Sequence, residues 1–227
     1  MMIEGLAKFL SLRGVDFGGF STIFDIGSRD ARQSLQLSRL FSNANIIAVE
    51  CNPATLDQCR RNSAKNSRIK LVEKAINSHT GHCRFYPIDP ERTVTSWKDG
   101  NPGASSLFVA NGDYPIETYV QNEVEVECIR LEDLCAQYGI TAIDLIWMDL
   151  QGAELIALQS AGPILDSVRY IYTEVSHRPI YTGQCLFDEV ESFLTSAGFV
   201  RCTRIDTERW QQDAIYVHQR ELSGATL

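Results

Sequence analysis

Thr22-Ile23-Phe24-Asp25-Ile26-Gly27 and, after one helical stretch, Asn45-Ile46-Ile47-Ala48-Val49-Glu50 decide the fold. Each run is short, apolar and β-branched and closes near an acid, and the stretch from about Asp30 to Phe41 between them reads as a helix. Strand, helix and strand in that order form the unit of a parallel sheet covered by helices. Ligands of such a doubly wound sheet collect at the carboxyl ends of the strands, where Glu50 is placed to accept hydrogen bonds from both hydroxyls of a ribose. The first turn, Asp25-Ile26-Gly27-Ser28-Arg29-Asp30-Ala31, has Gly27 as its only glycine. It lacks the glycines that let a backbone approach a pyrophosphate. A nucleoside ligand without phosphate is therefore expected, and S-adenosylmethionine fits, because Asp25 and Glu50 suit its cationic sulfonium. Another nucleotide and an ordinary solvated strand end stay open as alternatives at this point.

With 227 residues, 44% of them hydrophobic, the chain has the length of one well-buried domain and not of two. Its 21 Lys and Arg against 29 Asp and Glu give a net charge of -8. That balance disfavours nucleic acid, whose binding is driven by basic side chains displacing counterions. The start, Met1 to Leu10, has charges within its apolar stretch and reads as an amphipathic helix and not a signal peptide. No run approaches the ~20 apolar residues of a membrane span. The seven cysteines are odd in number and never spaced as Cys-x-x-Cys, which suits reduced thiols in a cytoplasmic protein.

Outward from the opening unit, Asn52-Pro53 starts a helix reaching about Lys65, and a strand is expected over 69–76. The section 78–122 holds Pro87, Pro90, Pro102 and Pro115 and is expected to be a loop-rich insertion, with a strand at His82 to Tyr86 and a candidate substrate lid from Trp97 to Phe108. Glu123 to Arg130 alternates like an exposed-face strand, and Leu131 to Tyr138 forms a helix ended by Gly139. Ala142 to Asp149 is a buried parallel strand, followed by a helix over 153–161 that ends at Gly162-Pro163. A strand over Val168 to Glu174 and a helix over 185–197, with Leu186, Val190, Phe193 and Leu194 inward, lead to a closing hairpin of Phe199 to Ile205 and Asp213 to His218. Asp25, Glu50, Asp149 and Glu174 should thus meet at one edge of the sheet, with His177 just beyond. A neutral imidazole is a suitable base for a hydroxyl proton, and an exposed loop histidine beside Arg178-Pro179 is the plainer alternative. Glu154 sits in the first turn of its helix, where the dipole favours a carboxylate in any case. His79 and His82 have metal-like spacing but flank a turn glycine, so they read as surface.

Ile143-Asp144-Leu145-Ile146-Trp147-Met148-Asp149-Leu150-Gln151-Gly152-Ala153-Glu154 resembles the hallmark of the FkbM family of S-adenosylmethionine-dependent methyltransferases, an apolar strand followed by Lys-Ile-Asp-Val-Glu-Gly-Ala-Glu. Phe24 to Gly27, Ala48 to Pro53, Glu73 to Ile76, Gly103 to Leu107 and Tyr172 to His177 are similar, in order, to further pieces of that family. Trp147 stands where the family has Lys, Gln151 where it has Glu, and Ser28-Arg29-Asp30 where it has Ala-Asn-x-Gly. Arg29 is the hypothetical replacement partner for a carboxylate.

The resemblance implies a Rossmann-like class I fold: a mostly parallel seven-stranded sheet, helices on both faces and a C-terminal antiparallel hairpin. It implies O-methylation of a small-molecule or carbohydrate acceptor. Asp25, Gly27, Ser28, Arg29, Glu50, Cys51, Ala75, Ile76 and Asp149 would bind the cofactor. Ser106, Glu154 and Tyr181 would bind the acceptor, and His177 would act as base with Asp149 and Glu174. A divalent cation on Asp149, Glu174 and His177 is the alternative use of those residues and is not expected. Competing readings are a cofactor-binding module without turnover and a nicotinamide-dependent oxidoreductase. A nucleic-acid amino-methyltransferase would carry Asn/Asp-Pro-Pro-aromatic where this chain has Asp149-Leu150-Gln151-Gly152.

Overall fold

A computed structural model describes residues 2–222. The chain enters through α1 (Met2–Leu12) and continues through β1 (Thr22–Ile26), α2 (Arg32–Leu40), β2 (Asn45–Val49), α3 (Pro53–Ser63) and β3 (Ile69–Val72). Then come β4 (Ala75–Ile76), β5 (Gly81–Phe85), β6 (Val124–Ile129), α4 (Leu131–Tyr138), β7 (Leu145–Met148) and α5 (Glu154–Ser160). β8 (Tyr170–Ser176), α6 (Phe187–Ser196), β9 (Phe199–Arg201) and β10 (Gln211–His218) complete the domain. Seven strands form one sheet in the order β3-β2-β1-β7-β8-β10-β9, parallel except for β10, which runs antiparallel to both neighbours. This is the expected Rossmann-like sheet with its closing hairpin. Strand order reverses between β1 and β7, and at such a switch point the connections part and leave a crevice.

Alternation along the strands builds two cores. Phe24, Ile26, Ile146, Met148, Ile171 and Val175 face α4, α5 and α6. Ile23, Ile46, Leu145, Trp147, Tyr170 and Tyr172 face the other way, under α1 and α2, where Leu6, Leu10, Leu37 and Phe41 are fully buried. The Asn52 side chain accepts from Ala54 N, so the expected cap with Pro53 at the first position starts α3. No helix among the described residues is long and apolar enough to cross a membrane.

Several expectations are corrected. The strand over 69–76 breaks at Glu73-Lys74, whose side chains pair outward with Arg60 and Glu127. Beyond the break Ala75-Ile76 joins a separate three-stranded sheet, order β4-β6-β5, which takes up both strands expected around the insertion. The helix over 153–161 does end before Gly162-Pro163, with Ala161 as its cap and Gly162 at φ 54, but a 3-10 helix not expected follows over Gly162–Ser167. β9 is shorter than expected and ends at Arg201, while β10 begins earlier, at Gln211. Leu186 caps α6 and is only half-buried, whereas Val190 and Leu194 pack inward. The insertion is itself laddered, with bridges Tyr86 to Ser106, Ile88 to Gln121 and Val94 to Thr118.

Candidate active site

At the switch point a cavity of about 560 Å³ opens over the ends of β1, β2 and β7. Seven of the nine expected cofactor residues line it: Gly27, Arg29, Glu50, Cys51, Ala75, Ile76 and Asp149. Asp25 and Ser28 do not. Asp25 lies beneath the floor and accepts from the Ser34 hydroxyl, and Ser28 is buried with its hydroxyl 3.5 Å from the Cys59 sulfur. Gly27 has φ +81, and a Cβ there would overlap the Asp149 carbonyl oxygen, so β1 and β7 can close on each other only with glycine at this position.

Glu50 Oε1 accepts from Cys51 N at 2.9 Å and Asn52 N at 2.7 Å, and Oε2 accepts from Arg29 N at 2.6 Å. Three of the roughly four lone-pair positions of a carboxylate are thus used, leaving room for one more donor. Burial nevertheless pushes the Glu50 pKa up to about 7 against those three bonds. The Arg29 guanidinium, expected to meet a ligand carboxylate, is instead paired with Asp99 at 2.6 Å and lies 5.3 Å from the centre of the Trp97 ring. Asn52 Nδ2 donates to Ser105 Oγ at 3.0 Å. The candidate lid is therefore tied down over the cavity, with Pro102, Gly103, Ser105 and Leu107 among its walls.

The turn Asp149-Leu150-Gln151-Gly152 is the most supported piece of the site. Gln151 holds φ 51 and Gly152 φ 100. A left-handed non-glycine residue persists only where its surroundings impose it. All three residues expected to contact the acceptor serve here instead. Glu154 is buried and accepts from Leu150 N at 2.8 Å and Gly152 N at 3.0 Å. Ser106 Oγ donates to Gln151 O at 2.8 Å. Tyr181, fully buried, donates its hydroxyl to Ala104 O at 2.7 Å, with Gln151 Oε1 3.0 Å away. As folded, none of the three side chains faces an open acceptor position.

Gln151 Nε2 reaches Asp149 Oδ1 at 2.7 Å and Glu174 Oε2 at 3.0 Å, and Gln211 Nε2 also donates to Glu174 Oε2 at 2.7 Å. Burial and then the neighbouring Asp149 charge raise the Glu174 pKa well above the usual carboxylate range. Asp149 opens to solvent through the cleft yet is enclosed on its other sides, and this burial raises its pKa too. Asp213 stands opposite Glu174 on β10, and its charge acts on both acids and on the Tyr172 hydroxyl. Trp147 stacks on Tyr172 at 3.8 Å beneath them. Among the described residues no ion pair engages Asp149, Glu174 or Asp213.

His177 stands apart from this set. Its ring lies against Phe187 with centroids 5.1 Å apart, its Nε2 has no partner, and its backbone N donates to Trp210 O. It shares the strand parity of Ile171 and Val175, while Glu174 shares that of Tyr170 and Tyr172 on the opposite face. No group of three or more His, Cys, Asp or Glu among the described residues is arranged to hold a metal. His79 and His82 form a surface turn in which His79 Nε2 sits 3.0 Å from the His82 carbonyl. Asp213, Gln211 and the joint use of Gln151 escaped sequence reasoning, because only strand pairing brings β10 beside β8.

Comparison with known proteins gives the family and the fold. The family model for the methyltransferase FkbM domain matches residues 25–201. The chain is 30% identical to the 2-O-methyltransferase NoeI of Sinorhizobium fredii over 184 residues, 79% of this chain and 74% of that protein. It is 22% identical to the hexuronic acid methyltransferase AglP of Haloferax volcanii, over 67% of this chain and 55% of that one. Among solved structures, a Methanococcus jannaschii fibrillarin pre-rRNA processing protein superposes with a TM-score of 0.52 at 11% identity, covering 89% of this chain and 68% of that one. A putative caffeoyl-CoA O-methyltransferase from Staphylococcus aureus gives 0.51 at 9% identity, covering 95% and 81%. The family model spans the cavity, the supported turn, Asp149 and Glu174, with Asp213 beyond its end, and the chain belongs to the FkbM family of methyltransferases.

Proposed function

We propose that this protein transfers a methyl group from S-adenosylmethionine to a hydroxyl of a carbohydrate acceptor. The observation that carries the reading is the single cavity in which Gly27, Glu50, Ala75, Ile76 and Asp149 meet without a phosphate-binding glycine run. Val49, Ile76, Phe85 and Leu107 offer apolar walls to an adenine, Glu50 keeps acceptor capacity for a ribose hydroxyl, and Asp149 supplies negative charge at the methyl end. The two basic residues lining the cavity, Arg29 and Lys74, are engaged by Asp99 and Glu127, which leaves a pyrophosphate no free cation there and disfavours a nicotinamide cofactor. The acceptor class follows NoeI and AglP, two relatives named for methylating a 2-O position and a hexuronic acid.

When bound, the cofactor supplies an electrophilic methyl group on positively charged sulfur. This chain's task is then to align the acceptor and take its proton. Glu174 is the proton acceptor in this reading, because two glutamine amides fix its position and burial makes it more basic than an ordinary carboxylate. Asp149, sharing the Gln151 amide, faces the positive charge. Ser106, Glu154 and Tyr181 act as positioning residues through the turn.

Calorimetric titration with S-adenosylmethionine, with NAD in parallel, tests the reading. Saturable binding of the first alone, followed by transfer of labelled methyl to glycosides, is expected. Binding of NAD in its place would sink the proposal.

A further inference from the structure

A second open space of about 1380 Å³ lies beside the first, between the end of β8 and the loop joining β9 to β10. Glu174, Gln211 and Asp213 line it from β8 and β10, and Arg204, Asp206 and Arg209 from the loop. Gln151 connects the two cavities, since its amide touches Asp149 of the first and Glu174 of the second. The Asp149 end of the first cavity therefore adjoins this space.

Two half-exposed aromatic side chains adjoin this lining, Trp210 as the residue before Gln211 and Tyr114 through its contact with Trp210. Tyr114, from the insertion, contacts the Trp210 ring edge-on with centroids 5.5 Å apart, and Arg178 lies 5.5 Å from the Trp210 ring centre. Tyr114 and Tyr119 both stand close enough to Glu174 to feel its charge. Apolar ring faces beside oriented polar groups suit a ligand with an apolar face and donors on its edge, which is the chemistry of a sugar ring. Charge then narrows the choice. Asp206 is paired with Arg209, and Arg204 is exposed at the rim, whereas Glu174, Asp213 and Asp149 have no cationic partner among the described residues. Carboxylates receive hydroxyl or ammonium donors, and three of them together disfavour a further negative charge.

We propose that the space between β8 and the β9–β10 loop is the acceptor subsite, and that it takes a neutral or amino sugar and excludes a uronate or sulfated one at the reacting position. This deepens the proposed function and rests on it. It also separates this chain from AglP, which is named for a hexuronic acid.

The test uses the full chain saturated with S-adenosylhomocysteine and three matched p-nitrophenyl β-glycosides: the glucoside, the glucosaminide and the glucuronide. Ligand-observed NMR should show the first two binding at least ~30-fold more tightly than the third, as like-charge exclusion requires. Trp210→Ala should weaken both by about tenfold through the lost ring face, and Asp213→Asn should narrow the gap to the glucuronide. Equal or tighter glucuronide binding, binding indifferent to both substitutions, or binding of none of the three overturns the proposal. S-adenosylhomocysteine binding, read by calorimetry on the same samples, separates the outcomes: its loss sinks the methyltransferase reading, and its presence without glycoside binding sinks only the subsite.

Discussion

Glu50 receives three backbone N–H groups and still has its pKa pushed up to about 7, because burial outweighs them. Its ionised form is the better acceptor for a ribose hydroxyl, so below pH 7 binding must first expel a proton. Cofactor affinity should then rise with pH up to about 7 and level off above it, changing by up to ~10-fold per unit on the acid side. Calorimetry at three pH values checks this, and Glu50→Gln should bind more weakly with a flatter profile. A parallel slope in that variant would move the titration to Asp25, also raised to about 7 by burial. At Glu174 the prediction is kinetic. Glu174→Gln should lower kcat by ~10²-fold or more, as loss of a general base does, and His177→Ala should leave it within a few-fold. The reverse ranking would return the base role to His177.

The element that decides the site's shape is the turn after β7. Four side chains converge on it, Glu154 from the helix that follows and three from distant segments: Ser106, Tyr181 and Gln184, whose Cβ packs against Gly152. Tyr181→Phe deletes a hydroxyl with two partners and strands the buried Ala104 carbonyl, at a cost of about 1–3 kcal/mol. Thermal melts should fall by roughly 2–4 °C per kcal/mol in a domain of this size. Cofactor affinity should fall with them, since Ala104 belongs to the segment walling the cavity; an unchanged affinity would mean that the segment stays closed without this bond. The Arg29–Asp99 pair on the same segment is largely exposed and contributes little to stability by comparison.

At the scale of the whole molecule, α1 is part of the core. Leu6 and Leu10 are fully buried with Phe20, Leu37, Phe41 and Tyr170 on one face of the sheet. Leu10→Ala should therefore cost about 2–5 kcal/mol, visible in denaturant unfolding, while leaving the cofactor cavity on the far end of the strands intact. A loss below ~1 kcal/mol would show that the helix is peripheral. What the sequence determined by itself was the alternation of strands and helices, the caps at Asn52 and Gly139, and the acids at strand ends, because these follow from periodicity and local backbone preference. The seven expected residues that line the first cavity were legible from strand ends and from the resemblance, both of which are positions along the chain. Tertiary structure alone decided that Asp213 and Gln211 join Glu174, that His177 faces the other side, and that Ser106, Glu154 and Tyr181 brace a turn. Those facts depend on strand register and on which buried polar groups find each other across the fold, and neither is written in the spacing of residues along one segment.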